Sequence, residues 1–484
     1  MLQKTSHYMR QANLIGGEWV QADSGATLDV TNPATTLKIG TVPKSGKAET
    51  RRAIEAAEKA FLSWKKTTAN ERSKLLRKLH DLILENQDAL AELLTMEQGK
   101  SLAEAKGEVG ISAAYVLWFA EEGRRTYGDT VPSPWADRRI LVTKEPVGVI
   151  AAITPWNFPS SMLARKIGPA LAAGCTVVVK PASQTPYSGL AWGALCEEAG
   201  FPKGVVNIVT GSAAEIGDEI CANPIVRKLT FTGSTAVGKI LMEKCAATVK
   251  KVSMELGGNA PFLVFDDADL DKAIEGAMVA KFRNSGQTCV CTNRFFVQDG
   301  IYDRFVEKFV EASNKLKVGN GLESGTQQGP LIDAKAVEKV EEFISDATSK
   351  GGKVVAGGKR HELGGSFFQP TVISEAKPDM MFMKEEIFGP VAPIFRFKTE
   401  EEGIRLANDT EFGLASYAYT GSLTRAFRVM EGLKYGMVGI NEGLITTVEA
   451  PFGGVKESGL GKEGGHQGIE DYLDTKYVCI GGLS

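Results

Sequence analysis

Histidine is scarce in this chain and cysteine nearly so: four of the first and seven of the second among 484 residues. His7, His80, His361 and His466 stand far apart, and no two have the spacing by which one helix face holds a metal ion, so no metal is expected. The cysteines form neither a repeated Cys-x-x-Cys nor a disulfide framework, which points to a reducing, cytoplasmic setting. Long apolar runs are missing as well. The longest, such as 169–179, fall far short of the roughly 20 residues that span a bilayer, and Met1 to His7 lacks the apolar stretch of a signal peptide, so no membrane partner is expected. An excess of charge is also lacking. With 56 Lys and Arg against 59 Asp and Glu, the net charge of −3 offers no broad basic face for nucleic acid, and the expected partner is a small molecule. Neither an internal repeat nor a low-complexity segment is present.

What is present is enough apolar residue, 43%, for more than one core in a chain of this length. Residues 14–43 read as short strands, and Glu49 to Trp64, Asn70 to Glu97 and 101–122 as helices, the second with an apolar stripe at Leu76, Leu79, Ile83, Leu90 and Leu94. Gly128 to Pro146 carries three prolines around an alternating run, the pattern of a hairpin extension. From Val147 short apolar runs at 147–153, 175–180, 205–210, 228–232 and 251–256 alternate with helical stretches at 160–173, 186–199, 213–222 and 235–247. That alternation predicts a parallel sheet covered on both faces, with ligands beyond the carboxyl ends of its strands. A second alternation runs through helix 270–282, strand 294–298, helices 301–317 and 334–350 and strands to about 438. After it come a glycine-rich loop from Phe452 to Gly459 and a last strand from Thr475 to Ile480.

Two features suggest chemistry. Gly286-Gln287-Thr288-Cys289 is a polar turn carrying a thiol, and backbone N–H groups or nearby positive charge there can favour the thiolate a nucleophile needs, making Cys289 the candidate nucleophile. The plain alternative is a cysteine that simply packs. No Gly-x-Gly-x-x-Gly lies within the alternation from Val147 to Leu256, yet Gly233-Ser234-Thr235-Ala236-Val237-Gly238 puts small residues where a strand passes into a helix, whose free N–H groups suit a diphosphate. An ordinary helix cap is the plain reading of the same residues.

Together, Pro155-Trp156-Asn157-Phe158-Pro159, the Lys180 loop, Phe231-Thr232-Gly233-Ser234, Glu255-Leu256-Gly257-Gly258, Gly286-Gln287-Thr288-Cys289 and Glu385-Glu386-Ile387-Phe388-Gly389-Pro390 resemble the aldehyde dehydrogenase superfamily over essentially the whole chain. Lys281-Phe282-Arg283-Asn284 leading into Cys289-Val290-Cys291, with Asn441-Glu442-Gly443-Leu444-Ile445, resembles its succinate-semialdehyde branch. The resemblance implies an α/β fold with a Rossmann-type cofactor domain (1–125 and 148–257), a second α/β catalytic domain (258–438), a substrate-mouth loop (439–464) and a small β oligomerisation arm (126–147 and 465–484). Hairpin 126–147 and the terminal strand would each offer an uncovered edge to a neighbouring subunit, giving a homodimer or homotetramer. Cys289 would attack the aldehyde, Asn157 and the Cys289 N–H would hold the oxyanion, and Glu255 would activate water against the thioester.

For the cofactor, the resemblance implies that Trp156, Leu256, Gly211, Gly233 and Ser234 line its path. Glu386 would bind the nicotinamide ribose, with Phe388 packing on the nicotinamide side. Where relatives preferring NAD carry Glu, this chain has Ser183; with Lys180 beside it, NADP is the expected cofactor and NAD the weaker one. Arg165, Arg283 and Thr446 would clamp a substrate carboxylate, Thr446 standing where relatives of this type have Ser. The expected reaction is oxidation of a short anionic semialdehyde, succinate semialdehyde first and glutarate semialdehyde or another aldehyde next. A non-catalytic protein on the same fold and a cofactor-free cysteine hydrolase are the readings from other classes. Cys289 and Cys291, two residues apart, are also a candidate reversible disulfide that switches activity off, unless Cys291 only packs in the core.

Overall fold

A computed structural model describes residues 3–483; Met1, Leu2 and Ser484, at the ends of the expected first and last segments, lie outside it. The alternation that starts at Val147 builds an eight-stranded sheet. Its order is Gly459–Leu460, Lys251–Glu255, Val226–Thr232, Val149–Ile153, Thr176–Lys180, Val206–Ile208, Asn13–Ile15, Glu18–Val20. The five strands between Lys251 and Ile208 in this order are mutually parallel, and the edges on either side are antiparallel. Both faces are covered. Helices Ala69–Glu85, Leu102–Glu122, Ser161–Ala173 and Pro186–Ala199 form the core on one side, and Lys47–Trp64, Ala213–Ala222 and Thr235–Ala246 pack on the other. That is why Val177, Val178 and Val179 are all buried, where a half-covered strand would alternate.

The strand order reverses at Val149–Ile153: later strands lie first to one side of it and then, from Val226–Thr232, to the other. Loops leaving the two strands at this reversal diverge and open a crevice beyond their carboxyl ends. Pro155-Trp156-Asn157 and Gly233-Ser234 stand on those loops.

A seven-stranded sheet follows, in the order Lys353–Ala356, Thr371–Ser374, Val391–Phe397, Thr292–Gln298, Ala260–Val264, Ala415–Tyr419, Met437–Ile440. Only its first pair is antiparallel. Helices Leu270–Phe282 and Tyr302–Asn314 cover one face and Ala334–Ser349 the other, with Phe262 packed against Phe295, Tyr417 and Tyr419 at the centre. Among the described residues no helix is long and apolar enough to cross a membrane.

Four expectations are corrected. The run Asn70 to Glu97 is two helices, Ala69–Glu85 and Gln87–Gln98, because Asn86 leaves helical geometry and its side chain donates to the Leu82 carbonyl at 2.8 Å. The second alternation begins one strand earlier than expected: Ala260–Val264, ahead of helix 270–282, lies in the interior of the second sheet although it contains Pro261, and a register shift between Ala260 and Pro261 absorbs the missing N–H. The loop from Phe452 to Gly459 ends in a short strand, Gly459–Leu460, which pairs with Met254 and Glu255. Finally, the hairpin and the terminal strand are not separate: they pair with each other, and Leu473–Ile480 and Asp129–Val131 remain as the two edges of the result. Leu473–Ile480 pairs along its whole length with Arg139–Pro146, which also pairs with Asp129–Val131, so one three-stranded sheet forms within the chain.

Candidate active site

The turn before Cys289 is held in a conformation the backbone resists. Asn284, Ser285 and Gly286 follow one another at φ 51°, 57° and 73°, in the left-handed region that only glycine enters freely. Each non-glycine residue there costs of order 1–3 kcal/mol, so surrounding bonds must hold it. Gln98 donates to Asn284 Oδ1 at 3.0 Å, Asn284 Nδ2 donates to the carbonyls of Asn157 at 3.1 Å and Gln287 at 3.2 Å, and Ser285 Oγ donates to the Gly329 carbonyl at 2.9 Å. Gly286 is also needed for room, since a Cβ there would stand 2.2 Å from the Gly389 oxygen.

The turn delivers Cys289, half-buried, into a wall between two cavities. One, of about 290 Å³, is bordered by Phe158, Arg165, Arg283, Thr446 and Phe452, so the three expected anion-clamp residues meet there. The other, of about 380 Å³, is bordered by Trp156, Asn157, Gly233, Ser234, Leu256, Glu386 and Phe388. Trp156 and Phe388 meet edge to face with centroids 5.5 Å apart. Lys180, Ser183 and Gly211 border neither cavity. Lys180 lies buried at the end of Thr176–Lys180, donates only to the Pro181 carbonyl at 3.0 Å, and burial pushes its ammonium down to about 8. Ser183 is partly exposed in the turn that follows. Gly211, at φ 143°, lies against Ser45, whose carbonyl would be 2.1 Å from any Cβ.

Burial pushes the Cys289 thiol up to about 12, with Glu386 and Glu255 adding to the rise and Arg165 and Arg283 opposing it. Apolar walls and two carboxylates thus oppose the thiolate that a nucleophile needs, and two guanidinium groups favour it. Glu255 ends the strand Lys251–Glu255, buried, with Oε2 lacking any hydrogen-bond partner. Desolvation raises its carboxyl well above the usual range, and the charge of Glu463 adds to this. It borders neither cavity; a Cβ on Gly453 would lie 2.8 Å from Oε1, which places the carboxyl under that loop. Asn157 is buried and donates from Nδ2 to the Gln287 carbonyl at 2.9 Å. Burial lifts Glu386 to about 7, although the Gly258 N–H donates to its Oε1 at 3.3 Å.

Arg165 lies buried between the rings of Tyr115 and Phe452, at 5.0 and 4.2 Å. Its Nε and Nη1 have no hydrogen-bond partner, and its nearest acid, Glu463, is 3.9 Å away. Burial disfavours its charge, but Tyr115 and Glu463 more than offset that. Arg283 is half-buried over the Phe158 ring at 5.7 Å and makes no hydrogen bond or ion pair among the described residues. Cys291, by contrast, faces inward. It is buried, its Sγ donates to the Lys281 carbonyl at 3.2 Å, and burial raises its thiol while Lys281 opposes the rise.

Sequence reasoning missed Lys100, which lies fully buried and bonds Glu108 Oε2 at 2.6 Å and the Asn157 carbonyl at 2.8 Å, with the Phe158 ring 3.8 Å from its Nζ. Glu108 in turn accepts from the backbone N–H groups of Ser160 and Ser161. It also missed Glu463, which pairs with Lys166. Neither residue belongs to a motif singled out in the sequence, and the Asn157 carbonyl and Lys166 come from distant parts of the chain. Among the described residues there is no cluster of metal-ligating side chains.

A model of the aldehyde dehydrogenase family matches residues 19–478. The chain belongs to the aldehyde dehydrogenase family. It is 62% identical over 480 residues to the glutarate-semialdehyde dehydrogenase of Pseudomonas aeruginosa, covering 99% of each chain. It is 60% identical over 476 residues to the succinate-semialdehyde dehydrogenase [NADP(+)] GabD of Escherichia coli K12, covering 98% of this chain and 99% of that one. The 3-sulfolactaldehyde dehydrogenase of Pseudomonas putida is 60% identical over 480 residues, with 99% of each covered. The crystal structure of an NADP-dependent E. coli enzyme superposes with a TM-score of 0.98 at 60% identity, over 98% of this chain and 99% of that one. This aldehyde dehydrogenase thus has the α/β fold expected, throughout the described residues.

Proposed function

We propose that this aldehyde dehydrogenase oxidises a short aldehyde with an anionic far end, succinate semialdehyde to succinate, with NADP. The observation that carries the proposal is Arg165: a buried, charged guanidinium with two nitrogens that lack a hydrogen-bond partner among the described residues, in the same cavity wall as Cys289. Leaving buried N–H groups without hydrogen bonds costs of order 1–3 kcal/mol, which a carboxylate bound there recovers. The names of the three relatives support the class, since the aldehydes in them all end in an anion. The 62% identical relative favours glutarate semialdehyde as the second reading.

In this reading Arg165, Arg283 and Thr446 hold the anion, which presents the aldehyde carbon to Cys289. The sulfur adds to the carbonyl carbon as the thiol proton passes to water, and the new oxyanion accepts hydrogen bonds from the Asn157 side-chain amide and the Cys289 N–H. Stabilisation of this kind is worth about 3–4 kcal/mol. NADP supplies the hydride acceptor. Loss of the hydride leaves a thioester on Cys289. Glu255 turns out from beneath Gly453, takes a proton from water, and the hydroxide expels the Cys289 sulfur to release the acid.

The second cavity fits a dinucleotide. The helix Thr235–Ala246 opens with Ser234 as its cap, and Gly233 brings the backbone close. Glu386 and Phe388 border the nicotinamide end, while Gly211 and Lys180 with Ser183 suit the adenosine end and a 2′-phosphate. The three-stranded sheet serves as the arm of a homodimer or homotetramer, with Tyr477 and Ile480 exposed for contact. The test is absorbance of reduced nicotinamide with succinate semialdehyde, glutarate semialdehyde and butanal, each with NADP and NAD. Catalytic efficiency highest for succinate semialdehyde with NADP supports the proposal; efficiency with butanal equal to that with the anions refutes the substrate class.

A further inference from the structure

Outside this site, one pair of reactive groups stands close together in the fold. Cys221 lies in the last turn of the helix Ala213–Ala222 and Cys245 in the last turn of Thr235–Ala246, and their sulfurs are 3.6 Å apart. Both are free thiols, buried. They are nevertheless shallow: Ala222, Ala246 and Ala247 beside them are exposed. Just beyond Cys245, Val249 is 88% exposed at φ 53°, a conformation that a β-branched residue adopts only under strain.

The other ends of the same two helices matter to the site. Ser212 caps the first directly after Gly211, and Ser234 caps the second directly after Gly233, the residues assigned above to the dinucleotide path. We propose that Cys221 and Cys245 form a reversible dithiol–disulfide pair, oxidised by hydroperoxides, whose closure weakens dinucleotide binding at the opposite ends of the two helices. The second half of the proposal rests on the cofactor reading given above; the first does not.

Electrons and atoms balance as follows. The Cys245 sulfur attacks the peroxide oxygen, the O–O bond breaks, and hydrogen peroxide leaves one water and a sulfenic acid. The Cys221 sulfur displaces that hydroxyl as a second water, so two thiols lose two protons and two electrons, and a small dithiol reverses the step. Lys250 favours the thiolate at either sulfur, and each thiol can donate to the other's thiolate, so attack by Cys221 with displacement by Cys245 balances equally.

Closure draws the sulfurs together by about 1.5 Å, to the length of a disulfide bond. There is little slack to absorb the movement. A Cβ on Gly238 would lie 2.4 Å from Leu256 and one on Gly233 2.5 Å from the Phe231 ring, so the second helix is seated tightly where it meets the cavity. A packed helix moves as a body, and its cap moves with it.

The experiment uses the full chain with Cys289 and Cys291 both replaced by Ser, which keeps active-site thiols from consuming oxidant. Hydrogen peroxide is added, then intact mass, a peptide map and calorimetric NADP binding are recorded before and after dithiothreitol. The proposal expects loss of two hydrogens, a linked peptide joining residues 221 and 245, and NADP binding weaker by about five-fold or more, all reversed by dithiothreitol. Cys245→Ser and Cys221→Ala, made separately on this background, should show neither the link nor the weakening. No link, added oxygen alone, or a link with unchanged NADP binding overturns it. If the reduced protein fails to bind NADP, the cofactor reading fails and the proposed effect on binding with it, while the peptide map still judges the pair.

Discussion

Replacing Arg283 by alanine removes a guanidinium that has no hydrogen-bond or ion-pair partner among the described residues, which makes the change easier to interpret than most charge deletions. The side chain is half-buried over Phe158 and makes no hydrogen bond or ion pair among the described residues, so its loss orphans no acid. Arg165 is the poorer choice, because it also packs between Tyr115 and Phe452 and faces Glu463. If Arg283 bonds the substrate carboxylate, the deletion forfeits one charge-assisted interaction, about 1.5–3 kcal/mol, or roughly ten- to a hundredfold in kcat/KM. The far end of the substrate does not change during reaction, so the loss should fall on KM with kcat nearly kept. Butanal has no anion and should lose no more than about twofold on the same principle. Steady-state rates with both aldehydes, read by nicotinamide absorbance in parent and variant, give the ratio of the two efficiencies. An unchanged ratio would refute the clamp, and an equal fall for both substrates would mean that Arg283 shapes the loop without binding the anion.

Ser183→Glu should move preference from NADP toward NAD, since a carboxylate about 4 Å from a 2′-phosphate charge costs roughly 4 kcal/mol at an effective dielectric near 20; efficiencies with both cofactors check this. Glu255→Gln should leave a first-turnover burst of reduced nicotinamide while steady-state turnover falls by about 10²–10⁴, seen in rapid mixing. Because burial holds the Glu255 carboxyl well above its usual range and only the ionised form accepts the water's proton, hydrolysis should rise with pH through that raised value and fall below it; a flat single-turnover hydrolysis rate from acid to alkaline pH would count against this base. For Cys289 and Cys291, mild peroxide followed by dithiothreitol should inactivate and then restore the parent with loss of two hydrogens. Loss and recovery in Cys291→Ala matching the parent would show that the inward-facing Cys291 thiol takes no part.

The β-α run from Val147 to Glu255 was legible because each strand is buried on both faces and each helix follows it at once, so composition and spacing carry the pattern. Ala260–Val264 was harder to read, since Pro261 signals an edge or a break and only the bulge beside it reconciles proline with an interior place. Asn86 hid a helix break for the opposite reason: flanked by strong helix formers, it interrupts the run by a local side-chain bond that periodicity does not register. At the site, Cys289, Asn157, Arg165 and Arg283 lie near glycines, prolines or paired motifs that attract notice. Lys100 and Glu463 have glycine neighbours too, Gly99 and Gly464, but belong to none of those motifs. Their positions depend on partners supplied from elsewhere, the Asn157 carbonyl for one and Lys166 for the other, and such contacts leave no local trace. The pairing of Leu473–Ile480 with Arg139–Pro146 joins strands more than 300 residues apart and was out of reach for the same reason.

That long-range closure also sets a clock on synthesis. The strand ending in Glu255 takes its last sheet neighbour from Gly459 and Leu460, and the Leu256 N–H donates to the Ser458 carbonyl. A ribosome adding about 5–20 residues per second needs roughly 10–40 s to cover the two hundred residues between them. For most of that interval the nascent chain already carries Cys289 but lacks the strand that closes over Glu255. A truncated or stalled chain would then hold a thiol without the completed surroundings of its proposed water-activating carboxylate, so that any thioester formed on the sulfur would not be released as acid.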